Sequence, residues 1–84
     1  MEKGQIIEQV IQSVYMVISV ENELDYNQSL LEIGLDSLKT MELIIQLETG
    51  FHFNFEDEEL LISNFSTVNR IAELIDNKLN FKVI

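Results

Sequence analysis

The stretch Gly34-Leu35-Asp36-Ser37-Leu38 stands where a polar loop gives way to an amphipathic segment, and the rest of the chain is arranged around it. Asp36 is a favoured N-cap, because its carboxylate can accept hydrogen bonds from the free amides at a helix start. Gly34 allows the loop to turn sharply and to approach that helix end closely. Ser37 then lies in the first turn, where the positive end of the helix dipole favours an anion. The stretch therefore predicts a serine that is well placed to carry a phosphate.

The segment after this stretch, residues 37 to 50, is predicted to form the second helix, with Gly50 as its C-terminal stop. The residues expected in the core are Leu38, Leu43 and Leu47. Met41 and Ile45 follow Ser37 by about one and two helical turns, so they can share its side of the helix. Two interpretations of this pair stay open. Either both residues belong to a wide core stripe, or they form an apolar patch beside Ser37 where a partner docks.

The segment before the stretch contains the first predicted helix, residues 3 to 20, whose apolar residues recur at three- and four-residue spacing. Residues 21 to 36 then form a long polar connection, which is unusual in a compact domain unless it is functional or attached to the core. Its apolar residues are Leu24, Leu30, Leu31, Ile33 and Leu35. We expect the connection to lie across the helices, with a short turn at 29 to 32, and to hold Ser37 in a fixed orientation.

The C-terminal third of the chain begins with residues 51 to 56, read as an extended loop whose phenylalanines fill the core. A short third helix is predicted from Asp57, because acidic residues favour a first turn. The last helix is predicted over residues 66 to 79, with Ser66 or Thr67 as its N-cap. Residues 80 to 84 can continue that helix, dock on the core or fray.

These segments predict an all-α fold in a single domain, residues 1 to 84. The fold is a small four-helix bundle with three longer helices and one short one, and with a long loop between the first and second helices.

Composition restricts the function classes that remain. Fifteen acidic and five basic residues give a formal net charge of −10, which disfavours binding to nucleic acid and favours partners with basic patches. The chain contains no cysteine, so it offers no disulfide framework and no thiolate nucleophile. No signal peptide and no apolar stretch of transmembrane length stand out in the sequence. These absences lead us to expect a cytoplasmic protein without membrane insertion.

The sequence offers no set of residues for catalysis. His52 is the single histidine, and no sequence signal brings it near Ser37 as the base that a nucleophilic serine requires. The acidic run at residues 56 to 59 lacks the ligand spacing and central glycine of a calcium loop. One histidine without cysteine makes zinc implausible. We therefore expect neither catalytic residues nor a metal site, and a protein that is not an enzyme by itself.

The chain resembles the acyl carrier protein family over nearly its whole length, including the first amphipathic helix and the long loop with Leu24 and Leu30. The motifs that carry the resemblance are Gly34-Leu35-Asp36-Ser37-Leu38, Met41-Glu42-Leu43, Leu47-Glu48, Phe51, Asp57-Glu58-Glu59 and Phe65-Ser66-Thr67-Val68. The Asp-Ser-Leu tripeptide alone would be common by chance. The matching helix pattern on both sides, in an acidic chain of this length, makes the resemblance specific.

The resemblance implies a mechanism in which Ser37, flanked by Asp36 and Leu38, carries a 4'-phosphopantetheine arm. A separate phosphopantetheinyl transferase would attach the arm from coenzyme A. The thiol of the arm would then hold an acyl, aryl or aminoacyl group as a thioester. This accords with the absence of cysteine, because the reactive thiol comes with the prosthetic group.

The implied partners are the transferase, a loading ligase or acyltransferase, and synthase or condensing enzymes with basic docking patches. The carrier itself is expected to be a monomer. The expected partner surface comprises Lys39, Met41, Glu42, Ile45 and Glu48.

Two departures from the family pattern bear on the pathway. Lys39 stands where carriers of fatty acid synthesis usually have an acidic residue, and Phe55-Glu56 stands where many of them have Ile-Pro. They weaken the resemblance to carriers of fatty acid synthesis. The lead Phe65-Ser66-Thr67-Val68 resembles that of stand-alone carriers, which favours a discrete carrier of a specialised polyketide, nonribosomal peptide or siderophore pathway. A fatty acid synthesis carrier and a D-alanyl carrier stay open as alternatives. Outside the family, the alternatives are an unmodified acidic helical adaptor, in which Ser37 only caps a helix, and an acidic imitator of nucleic acid.

Overall fold

A computed structural model describes residues 2–20 and 23–79, and its regular structure is helical throughout that part of the chain. Three α-helices follow one another: α1 at Lys3–Val17, α2 at Ser37–Phe51 and α3 at Val68–Leu79. Three short 3-10 helices lie between them, at Leu30–Ile33, Asp57–Glu59 and Ile62–Phe65. The predicted all-α class is confirmed. The short fourth helix predicted from Asp57 takes the form of 3-10 turns rather than a fourth α-helix.

The core lies where α1 packs against both α2 and α3. Each helix contributes the apolar stripe that its sequence period predicts. The residues at the centre, each fully shielded from solvent, are Ile6, Val10, Val14, Leu30, Leu43, Leu47, Val68, Ile71, Ala72 and Ile75. None of the three α-helices, within the residues described, is long and apolar enough to cross a membrane.

Two helix ends differ from the prediction. The helix α1 ends at Val17 rather than at residue 20, because Ile18 already has an extended backbone with φ −134°. The prediction that Gly50 stops α2 is wrong: the helix continues to Phe51, and His52 ends it in a left-handed conformation with φ 60°. Gly50 lies beside α1: a Cβ at this position would lie 2.8 Å from Nε2 of Gln9, which is the end of a flexible side chain.

The backbone of the first connection, residues 18 to 36, is hydrogen-bonded to α3 and to Ser66, which lies just before that helix. The amide of Leu30 donates to the carbonyl oxygen of Ser66 at 2.8 Å, and the amide of Asn69 donates to that of Tyr26 at 3.0 Å. Its buried apolar residues are Ile18, Leu24, Leu30 and Leu35, whereas Leu31 is exposed and Ile33 is half-buried. The predicted crossing of the helices and the predicted short turn are both confirmed, the turn being the 3-10 helix Leu30–Ile33.

The second connection, residues 52 to 67, is built on aromatic rings. Phe55 packs edge to face on Phe65, with ring centroids 5.3 Å apart, and Phe53 packs edge to face on Phe55 at 4.8 Å. Phe51 and Phe55 are buried, which confirms that the phenylalanines fill the core. By contrast, the side chains of Leu60, Leu61 and Ile62 are 42%, 56% and 61% exposed.

The start of α3 settles one of the open alternatives from the sequence. The hydroxyl of Thr67 accepts a hydrogen bond from the amide of Arg70 at 3.0 Å, as an N-cap residue does. Of the two predicted caps, Thr67 is therefore the one that the structure uses. The prediction for residues 80 to 84 lies outside the described residues.

Candidate functional site

The first turn of α2 is fixed by Asp36, as the sequence predicts. The backbone of Asp36 is extended, and its Oδ1 accepts a hydrogen bond from the amide of Lys39 at 2.8 Å. Its carbonyl oxygen accepts from the amide of Thr40 at 2.8 Å and from the Thr40 hydroxyl at 2.7 Å. Thr40 is buried. The helix start is thus held from both the solvent side and the core side.

Gly34 makes the predicted sharp turn, whereas the predicted close approach at this residue is wrong. Its φ of 115° lies in the left-handed region that residues with a side chain rarely adopt. A Cβ at Gly34 would come no closer than 3.9 Å to Cγ2 of Ile18. The glycine therefore ends the 3-10 helix Leu30–Ile33 and turns the chain towards Asp36.

Ser37 is the first residue of α2 and is exposed to solvent. Its position at a helix N-terminus favours an anionic substituent on its hydroxyl, because backbone amides point towards that end and the helix dipole is positive there. His52 lies at the opposite end of α2, about 22 Å away by helical rise. The histidine is therefore not placed to activate Ser37 as a base.

One face of α2 beside Ser37 carries exposed apolar side chains. Leu38, Met41 and Ile45 are 67%, 62% and 59% exposed, and we call these three residues the apolar ridge. The prediction that Leu38 belongs to the core is wrong. Three- and seven-residue spacings place Leu38 on the face of Met41 and Ile45, whereas Leu43 lies about 140° further around the helix. For Met41 and Ile45, the structure supports the solvent-exposed alternative.

A groove of about 360 Å³ opens next to Ser37, between α2 and the second connection. We call it the serine groove, and its lining residues are Ser37, Thr40, Met41, Ile44, Ile45, Leu60 and Ile62. Sequence reasoning missed Leu60 and Ile62 as part of the site. The available signal was three consecutive apolar residues after an acidic run, which cannot all face the core from one short helical turn.

The remaining predicted surface residues have different surroundings. Glu42 is exposed. Glu48 is half-buried, and its Oε2 accepts a hydrogen bond from the amide of Phe55 at 2.8 Å. Lys39 is also half-buried, and its Nζ donates to the carbonyl oxygen of Val17 at 3.2 Å. The structure thus brings Ser37, Met41 and Ile45 together, with Glu42 on the same helix, while Glu48 and Lys39 bond within the protein.

The far side of the serine groove is anchored by an ion pair. Nζ of Lys78 lies 2.8 Å from Oε1 of Glu59, with both side chains largely shielded from solvent. The hydrogen bond from Lys78 lowers the pKa of the Glu59 carboxyl, and the bond from the amide of Glu56 lowers it further, while burial opposes both. Across residues 2–20 and 23–79, no group of three histidine or acidic side chains could hold a metal ion.

Comparison with known proteins agrees with this geometry. A family model described as the phosphopantetheine attachment site matches residues 5–75. The chain is similar to the chloroplastic acyl carrier protein of Brassica napus, with 29% identity over 82 residues, covering 95% of this chain and 60% of the relative. It is also similar to an acyl carrier protein homolog of Mycoplasmopsis pulmonis, with 47% identity over 47 residues, covering 56% of this chain and 62% of the relative. The matched part thus spans about three fifths of each relative's length.

A solved structure shares the fold. It is the crystal structure of Bradyrhizobium japonicum glycine:[carrier protein] ligase complexed with glycylated carrier protein. The matching chain superposes with a TM-score of 0.75 at 17% identity, covering 83% of this chain and 97% of that one. At this identity the likeness concerns the fold alone: the helices are arranged as in a known architecture.

Proposed function

The chain belongs to the acyl carrier protein family, whose members carry a phosphopantetheine attachment site, and from this premise we propose that Ser37 carries the arm. The family is non-catalytic, and its 4'-phosphopantetheine is attached covalently by a separate phosphopantetheinyl transferase. When bound, the group supplies a thiol that holds the cargo as a thioester. The observation that carries the proposal is an exposed serine at the start of a capped helix beside an apolar groove.

The residues around Ser37 fit such a group. Asp36 holds the first turn through the amide of Lys39, which leaves Ser37 free of the capping role. The N-terminus of α2 favours the phosphate that links the arm to the hydroxyl. Leu38 projects into solvent next to Ser37 and would contact an enzyme that approaches the serine. No residue of the chain needs to act as a base, because the transferase supplies that chemistry.

Membership of the family does not specify which group the arm carries, so the cargo is part of our proposal. We place the chain among discrete carriers of acyl, aryl or aminoacyl groups in a specialised biosynthetic pathway. The support is Lys39, which replaces the acidic residue usual in carriers of fatty acid synthesis, and whose ammonium bonds inside the protein. The glycylated carrier of the ligase complex shares the fold at 17% identity, so it leaves the cargo of this chain open.

A carrier of fatty acid synthesis is the second candidate, favoured by the lining of the serine groove. Met41, Ile44, Ile45, Leu60 and Ile62 make the groove mainly apolar, and a buried alkyl chain would gain about 0.8 kcal/mol per CH₂. A D-alanyl carrier would not use such a lining. Loading the arm with alkyl chains of increasing length, and measuring protection of the thioester from hydrolysis, separates these candidates.

The proposed partners are the transferase, a loading ligase or acyltransferase, and the synthase or condensing enzymes that receive the cargo. Long-range attraction from a net charge of −10 would speed encounters with basic surfaces. The apolar ridge and Glu42 would set the register once the surfaces meet. A cytoplasmic, monomeric carrier stays a prediction from the sequence.

The test of the proposal is intact-mass measurement after incubation with coenzyme A and a broad-specificity transferase. We expect the parent to gain one phosphopantetheine and Ser37→Ala to gain none. Ser63→Ala, which alters another exposed serine, is the matched control and should gain one. Circular dichroism of Ser37→Ala should match the parent, because Asp36 supplies the cap. A folded parent that gains no mass, also with a transferase from its own host, would favour the unmodified helical adaptor.

A further inference from the structure

The ammonium group of Lys39 lies against a neighbouring helix instead of extending into solvent. Its side chain is half-buried, and its Nζ donates to the carbonyl oxygen of Val17 at 3.2 Å, 22 residues away in sequence. Val17 is the last residue of α1, so the ammonium lies at the C-terminal end of that helix. Lys39 also lines a cleft of about 400 Å³, together with the end of α1, Ile33 and Gly34.

The end of α1 provides a physical reason for this contact. The last carbonyls of a helix lack partners within the helix, and their partial negative charge attracts cations. The last turn of α1 contains no basic residue, so Lys39 supplies the cation from α2. Within α2 the same cation is unfavourable, because Lys39 is the third residue from the positive end of the dipole. Its position is therefore explained by α1 rather than by its own helix.

The contact of Lys39 with α1 is linked to the direction of Ser37 by the geometry of the helix. Residues two apart on a helix lie roughly 200° apart around its axis, so holding Lys39 against α1 turns Ser37 to the opposite side. Consistent with this, Lys39 lines the cleft beside α1, and Ser37 lines the serine groove. We infer that Lys39 is a positioning residue: its ammonium holds the first turn of α2 against the end of α1, and so fixes the direction of the Ser37 hydroxyl.

The inference rests on the proposed function, since Ser37 must be the modified residue, and it differs from a partner-facing role for Lys39. A charge that meets a partner changes association, and therefore KM and its dependence on salt. A residue that orients the hydroxyl leaves Met41, Glu42 and Ile45, which lie beyond the first turn, in place, and therefore lowers kcat with little change in KM. The two roles of Lys39 thus separate in steady-state kinetics.

The experiment compares Lys39→Met, which keeps the aliphatic stem and removes the ammonium, with the parent in the transferase reaction at low and high salt. We expect kcat to fall about tenfold, since a misplacement of about 1 Å can cost about 10²-fold. KM for the carrier should stay within about twofold at both salt concentrations. Lys39→Arg, which restores a cationic donor, should recover most of kcat. Lys3→Met removes the same charge from an exposed residue at the start of α1 and should match the parent.

An unchanged kcat in Lys39→Met, or a salt-dependent change in KM alone, would overturn the inference. Failure of the proposed function looks different, because the parent itself would then gain no phosphopantetheine. If Lys39→Met does not fold, proton exchange of the lysine ammonium groups in the parent decides by NMR. We expect slower exchange for Lys39 than for Lys3, and equal rates would exclude the contact with Val17.

Discussion

The two connections on either side of α2 are held to the molecule by different means. Backbone hydrogen bonds hold the first connection: the amide of Leu30 donates to the carbonyl oxygen of Ser66, just before α3, and the amide of Asn69 in α3 donates to that of Tyr26. The second is fastened by side chains: the Glu48 carboxylate accepts from the amide of Phe55, and Lys78 pairs with Glu59. The first buries three leucines and the second buries Phe55 and Phe65, but the second also exposes three consecutive apolar residues, Leu60, Leu61 and Ile62.

This difference matches the two tasks that the connections perform around Ser37. The first connection delivers the serine, and its backbone bonds fix the direction from which α2 begins. The second supplies the outer wall of the serine groove, where Leu60 and Ile62 face the apolar ridge. Backbone hydrogen bonds and buried leucines suit a part that must stay in place. A wall fastened by ionisable side chains responds to conditions that leave the first connection unaffected.

The largest expected effect is a loss of stability, and it tests whether the first connection is part of the core. Leu30 is fully shielded from solvent, so Leu30→Ala should lower the free energy of unfolding by about 2–5 kcal/mol. Leu61→Ala is the matched change in the second connection. Because Leu61 is 56% exposed, this variant should lose no more than about 0.5 kcal/mol of its free energy of unfolding. Urea denaturation measures both variants, and similar losses would mean that the connections do not differ in this way.

A smaller effect is expected for Lys78→Met, which removes the ion pair that fastens the second connection. The ammonium lies 2.8 Å from Glu59 and 5.4 and 5.9 Å from the ring centres of Phe53 and Phe55. We expect a loss of about 1–2 kcal/mol at neutral pH, because the pair is only 18% and 20% exposed. Lys3→Met is the control for the change in net charge, and an equal loss there would show that the pair contributes nothing.

The pH dependence of the same variant sharpens the comparison. Lys78 lowers the pKa of Glu59 in the folded protein, so the pair stabilises the protein above the pKa of the unfolded chain. That contribution is lost as the pH falls through the lower, folded-state pKa. The difference in stability between parent and Lys78→Met should therefore shrink in the acid range. Urea denaturation at a series of pH values measures it, and a constant difference would show that the pair does not cause the shift.

The smallest effect concerns the residues with positive φ that border the two connections. Gly34 ends the 3-10 helix of the first connection with φ 115°, whereas His52 begins the second with φ 60°. A residue with a side chain pays roughly 1–2 kcal/mol for this conformation. Replacing it by glycine removes that cost, but most of the gain in stability is offset because glycine is more flexible in the unfolded chain. We therefore expect His52→Gly to raise the free energy of unfolding by a few tenths of a kcal/mol. A lower melting temperature would instead mean that the imidazole itself stabilises the end of α2.

Sequence reasoning succeeded where a local rule decides the structure. Asp36 caps α2 and Gly34 takes a positive φ because their chemistry suits these positions with little help from the rest of the chain. It failed where contacts between distant segments decide. Gly50 looked like a helix stop, but its neighbour across the interface is Gln9, and that contact was not visible in the sequence. The bond between Lys78 and Glu59, which lie 19 residues apart, was likewise not visible in the sequence.

Leu38 is a different kind of failure, since the information was present. Its spacing from Met41 and Ile45 already puts it on their face of the helix. The prediction groups Leu38 with Leu43 and Leu47, whereas the structure leaves it 67% exposed. The bond from Lys39 to Val17, by contrast, depends on how α1 and α2 pack and could not be derived from spacing.

The way the two connections are fastened also bears on how related sequences can drift. A backbone hydrogen bond survives a change of side chain, so we expect Tyr26 and Ser66 to be replaceable one at a time without loosening the first connection. The second connection does not have this freedom, because a new residue at position 59 leaves Lys78 without its acid. Substitutions there should occur in compensating pairs across the bundle. The wall of the serine groove would therefore change its shape during evolution by linked steps, while the segment that delivers Ser37 accumulates independent ones.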